Sequence, residues 1–121
     1  MKTLKLTKAI YSLFEKYPIY SQEGNNNARV LCKIFNPYGR GSWYITEAKK
    51  QENGDYLCFG LVSLFEVELG YFMLSDLLNV RVKVFGLGLP LERDRGFSGN
   101  LRDAYKDCGA LDKYNEMFNM A

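Results

Sequence analysis

The chain has 121 residues, a net charge of +2, 47% hydrophobic residues and 25% charged residues. That usage excludes a disordered chain and fits one ordinary domain over residues 1–121. It contains no histidine, which removes any Ser-His or Cys-His mechanism and the commonest metal ligand. The balance of 16 Lys+Arg against 14 Asp+Glu is also less basic than a partner of phosphate backbones usually shows.

The cysteines, Cys32, Cys58 and Cys108, are odd in number, widely spaced and without a CxxC pair. With no histidine to complete a zinc site, they read as core or near-core thiols of a reducing compartment. The pattern calls for no metal and no cofactor. At the N-terminus Lys8, Ser12, Glu15 and Lys16 interrupt any apolar run, so neither a leader nor a membrane span is expected. The expected location is cytoplasmic.

Leu6, Ala9, Ile10, Leu13, Phe14 and Tyr17 recur at spacings of three and four, which predicts an amphipathic helix that Pro18 stops. Ser21 to Asn27 is a polar loop. Arg29 to Phe35 alternates as a strand, and the Asn36–Gly41 turn returns the chain into Ser42–Glu47. Asn53-Gly54 is a strong hairpin signal leading to Tyr56–Leu64, and Glu68–Leu74 follows as another strand. Ser75-Asp76 begins a helical turn. Arg81–Phe85 alternates charge with apolar residues and is expected as a fifth strand at a sheet edge. Gly86 to Asp94 is glycine-rich and partly extended. Asn100 is placed to cap a helix over Leu101–Lys106, and a last helix is expected over Leu111–Phe118. The fold class is therefore α+β: an antiparallel meander of four to five strands with an N-terminal helix and short C-terminal helices.

Gly86-Leu87-Gly88 lacks both the third glycine of a dinucleotide site and the Gly-Lys-Ser/Thr of a phosphate loop, so it reads as a bulge or a tight turn. Glu92-Arg93-Asp94-Arg95 is a dense charge cluster. On a strand, Glu92 and Asp94 face one way and Arg93 and Arg95 the other. Such carboxylates suit a cation or a shared proton, and such arginines suit a carboxylate or phosphate. A solvated face with weak ion pairs is the simpler alternative. Trp43, the only tryptophan, shares one face with Ile45, while Tyr44 shares the other with Thr46. One of the two aromatics belongs to the core and the other is a half-exposed platform; the pattern leaves open which is which. Glu47, Glu66, Glu68 and Glu92 offer carboxylates for glycoside hydrolysis, in a chain with little room for a sugar cleft.

Several motifs resemble a known family. Phe35-Asn36-Pro37 followed by Gly41-Ser42-Trp43-Tyr44-Ile45-Thr46-Glu47, then Phe59-Gly60-Leu61-Val62, Glu68 to Leu77, and Gly88-Leu89-Pro90-Leu91-Glu92-Arg93-Asp94 with Phe97, together resemble domain of unknown function 2958. The resemblance runs from about Val30 to Tyr105 and leaves the N-terminal helix and the tail outside. Met73 departs from it, since a small polar residue is common there. The resemblance implies carriage on bacterial plasmids, phages and other mobile elements, often near anti-restriction and transfer genes. It implies no reaction and no catalytic residue. It also sets a buried charge network around Glu92, Arg93 and Asp94 against a binding site as the role of that motif.

The leading expectation is a non-enzymatic binding or inhibitor protein of a mobile element, acting on a host protein such as a restriction or CRISPR effector. Its candidate binding residues are Trp43, Tyr44, Glu47, Tyr71, Glu92, Arg93, Asp94 and Arg95, and exposed aromatics around Trp43 and Tyr71 are expected to form the surface. A second expectation is a nucleic-acid or nucleotide binder using Arg81, Lys83, Arg93, Arg95, Arg102 and Lys106. A third is a small enzyme using Glu47 and Glu92. A homodimer through the Arg81–Phe85 edge is compatible with the pattern.

Overall fold

The computed structural model describes residues 3–118. Helix α1 spans Lys8–Lys16. It starts two residues later than the apolar periodicity, because Thr7 caps it by accepting from the Ile10 amide, and it ends at Tyr17 before Pro18. Strands β1 (Cys32–Phe35), β2 (Ser42–Lys50), β3 (Tyr56–Ser63) and β4 (Val67–Met73) form the expected antiparallel meander. The β2–β3 turn places Gly54 at φ 88°, a conformation glycine adopts freely.

After β4 come helix α2 (Leu74–Leu78), strands β5 (Val82–Val84), β6 (Leu87–Leu89) and β7 (Glu92–Arg93), and helices α3 (Leu101–Asp107) and α4 (Leu111–Met117). Helix α3 begins with the expected Asn100 cap, completed as a capping box by Asp103. The main sheet has the order β4-β3-β2-β1-β7. The expected edge strand at Arg81–Phe85 is corrected here: β5 pairs instead with β6 in a separate hairpin. Phe85 and Gly86 both have positive φ, so a two-residue turn folds β5 onto the next residues and satisfies its ladder locally. The edge beside β1 is taken by β7, with Arg93 opposite Ile34 and Glu92 opposite Phe35.

The sheet divides two cores. On one face α1 and α2 pack Ile10, Phe14, Leu74 and Leu77 against Ile34, Ile45 and Cys58. On the other, α3 and α4 pack Leu101, Ala104, Tyr105 and Tyr114 against Val30, Tyr44 and Leu61. Burying a large apolar side chain in such cores contributes about 1.5–3 kcal/mol. The pairing register shifts between Ile45 and Glu47. Beside this bulge, a Cβ on Gly60 would lie 1.9 Å from the Tyr44 carbonyl oxygen, so the close backbone approach requires glycine.

Candidate functional site

The eight residues singled out in the sequence fall into three places. The first is a partly buried charge network. Lys33 on β1 donates to Asp94 at 3.0 Å and to Asp107 at 2.7 Å, and the Tyr44 hydroxyl donates to the same Asp107 oxygen at 2.7 Å. The Lys33 side chain is only 11% exposed, and its ammonium lies 5.4–5.8 Å from the ring centres of Phe35, Tyr44 and Phe97. A buried ammonium is costly unless paired, and here two carboxylates and three aromatic faces surround it. Burial alone would lower the Lys33 ammonium, but its bonds to Asp107 and Asp94 outweigh that and hold it above its ordinary value. In return, the hydrogen bond from Lys33 holds the Asp94 carboxyl below its ordinary value. Burial and the bond to Asp107 push the Tyr44 phenol far up. Asp107 ends α3, where a carboxylate faces the negative end of the helix dipole, and Lys33 offsets that. The network ties β1, β2, α3 and the segment after β7 together. Tyr44 is the core member of the Trp43–Tyr44 pair, at 1% exposure.

The second place surrounds Glu47. This carboxylate is buried and accepts the backbone amides of Tyr20 at 2.8 Å and Gln22 at 2.9 Å. Gln22 completes the arrangement: its amide donates to the Arg29 and Thr46 carbonyls and accepts from the Arg29 amide. The polar loop around Gln22 is thus pinned to β2, and Glu47 spends both oxygens on the backbone. Tyr20 is held at φ 75° and is exposed. Tyr71, also exposed, packs its ring on Phe59 at 4.8 Å between centres.

The third place is one end of the sheet. Glu92, Phe35, Ser42, Ser63 and Val67 lie side by side across the strands, so the β1–β2 and β3–β4 turns sit at the same end. Phe65 is 91% exposed, with the Arg40 guanidinium 5.2 Å from its ring centre. Leu64 is exposed beside Gly41, which in turn abuts Trp43. Tyr38, from the same turn as Arg40, lines a cleft of about 350 Å³ with Lys5, Pro90, Glu92, Arg93 and Arg95. Among the described residues, the ion pairs formed are the two of Lys33, so Lys5, Arg93 and Arg95 face this cleft without a carboxylate partner.

Three groupings expected from the sequence do not assemble. Trp43 packs against the α1-side core, whereas Tyr71 lies on the opposite face with Phe59, so they do not share a surface. Glu47 and Glu92 are separated by two strand spacings and by five residues along β2; that is roughly 15 Å or more, well beyond the roughly 5–9.5 Å of paired catalytic carboxylates. The six cations of the nucleic-acid reading are spread over β5 and the residue before it, the β7 region and α3. Of the cysteines, burial pushes Cys32 up to about 11 and Cys58 up to about 12, which suppresses thiolate reactivity. Lys5, Lys33, Tyr38 and Asp107 were not singled out beforehand. Their signal is spatial, since Lys33 and Asp107 are separated by 74 positions.

What fold and site together define is a small α+β sheet protein with a basic cleft and an apolar rim at one end, whose charged motif is shared between a structural network and that cleft. The chain belongs to the family described as protein of unknown function DUF2958, whose model matches residues 6–106. The match begins at Leu6, so α1 is part of the family unit, contrary to the expectation that it lay outside. No curated protein and no solved structure matches the chain. Among the described residues, no helix is long and apolar enough to cross a membrane.

Proposed function

We propose that the chain is a binding protein that acts by contact with a host protein, through the sheet end carrying Trp43, Leu64 and Phe65. The observation that carries this reading is Phe65, 91% exposed beneath Arg40 and next in sequence to exposed Leu64, which borders Gly41 together with half-buried Trp43. Scattered surface apolar residues need no explanation, but adjoining ones with Trp and Arg beside them have the make-up of an interface centre. The mobile-element setting implied by the family resemblance supplies the class of target, a host defence protein such as a restriction or CRISPR effector. The paired-carboxylate alternative draws no support from Glu47 and Glu92, one engaged by backbone amides and the other far away.

The test is purification of the tagged protein from its own host cells, with and without nuclease. The expected result is a stoichiometric host protein that survives nuclease. Loss of every co-purifying protein on nuclease treatment, or purification without a partner, contradicts the proposal.

A further inference from the structure

The cleft beside that sheet end carries a separate inference, independent of any protein partner. Its walls come from the segment before α1 (Thr3, Leu4, Lys5), from Tyr38, and from Leu89 to Arg93 together with Arg95. Lys5, Arg93 and Arg95 place three positive charges there against the single carboxylate of Glu92, an excess of two. Leu4, Leu89, Pro90 and Leu91 supply apolar surface, and Tyr38 stands 44% exposed at its edge. Uncompensated cations gathered in one concave site raise the local potential and attract an anion. Guanidinium forks match phosphate oxygens bidentately, and a phosphate monoester carries about −1.5 to −2 at neutral pH, close to the excess charge of the walls. The volume of about 350 Å³ lies at the lower end of small-molecule sites. An exposed tyrosine at the edge offers a face on which a heterocycle stacks.

We infer that this cleft binds a phosphate monoester borne on a heterocycle, of the nucleoside 5′-monophosphate class. The phosphate lies against Arg93, Arg95 and Lys5, the ring lies on Tyr38, and Glu92 accepts a hydrogen bond from a sugar hydroxyl or an exocyclic amine.

The experiment is calorimetric titration of the full chain with adenosine 5′-monophosphate, adenosine, inorganic phosphate and acetate. The expected order is monophosphate tightest, inorganic phosphate at least tenfold weaker, and adenosine and acetate without measurable binding. Arg95→Ala, at an exposed position, is expected to weaken the monophosphate at least tenfold with an unchanged melting temperature. Arg93→Lys keeps the charge but removes the fork and is expected to weaken it as well. Lys83→Ala, on the separate hairpin, is expected to leave binding unchanged. Absence of monophosphate binding at millimolar concentration overturns the inference. So does retention of full affinity in folded Arg95→Ala and Arg93→Lys, or acetate binding as well as phosphate. Inorganic phosphate binding as tightly as the monophosphate overturns the role of Tyr38. Because no macromolecular partner enters the titration, its result is separate from that of the purification.

Discussion

Three tyrosines are fully buried, and their hydroxyls differ in a way that predicts opposite outcomes. Tyr44 donates to Asp107 at 2.7 Å and Tyr114 to the Asn26 carbonyl at 2.9 Å. Among the described residues, the Tyr105 hydroxyl has no partner. Removing a satisfied buried hydroxyl costs about 0.5–1.5 kcal/mol and leaves its partner wanting, whereas removing an unsatisfied one relieves a desolvation cost. Tyr44→Phe and Tyr114→Phe should therefore each destabilise by about 1 kcal/mol, and Tyr105→Phe should be neutral or stabilising, as read from urea midpoints. Lys33 gives a residue-scale prediction in pH. Its ammonium is raised in the folded protein, so that stabilisation is full below its unfolded value of about 10.4 and is lost as pH rises through the folded value. Asp94 is lowered, so its stabilisation is full above about 3.9 and is lost as pH falls through the folded value. The melting-temperature difference between the wild type and Lys33→Met should be largest between about pH 5 and 9 and should shrink at both extremes. A difference constant with pH would mean that packing alone sets it.

Among the elements, the bulge in β2 determines what its neighbour tolerates. Gly60 and Gly70 face each other across β3 and β4, both belong to motifs noted in the sequence, and only one is sterically required. A Cβ at Gly60 meets the Tyr44 carbonyl at 1.9 Å, whereas a Cβ at Gly70 meets nothing within 4 Å. Gly60→Ala should cost about 3 kcal/mol or prevent folding, and Gly70→Ala should change stability by less than about 1 kcal/mol. Circular-dichroism melts of the two variants distinguish them. The meander, its turns and the terminal helices were legible because alternation, Asn-Gly, Pro18 and the Asn100 cap are local signals. The β5–β6 hairpin was missed because Phe85 is a rare residue for positive φ and so hid the turn beside Gly86. Glu47 was legible as a notable carboxylate but not as a backbone anchor, since its partners lie 25 and 27 positions away.

At the scale of the whole molecule, the sheet separates structural chemistry from the surface that is free to act. Asp94 turns to Lys33 and the α3 side, while Arg93 and Arg95 line the cleft with Tyr38. Sequence alternation set Glu92 with Asp94 and apart from the two arginines, but the cleft brings Glu92 beside Arg93 and Arg95 and leaves out only Asp94, because β7 ends at Arg93 and the alternation goes no further; nor did it show that Lys5 and Tyr38 join them, because that depends on how the segment before α1 crosses the end of the sheet. The opposite placement of Trp43 and Tyr71 supplies an internal comparison. The most direct measurement is host-protein capture by wild-type, Phe65→Ala and Tyr71→Ala chains under nuclease. The interface centre assigned here predicts at least a tenfold loss of the captured protein for Phe65→Ala, near-wild-type capture for Tyr71→Ala, and unchanged melting temperatures for both. Full capture by Phe65→Ala, or loss confined to Tyr71→Ala, would contradict it.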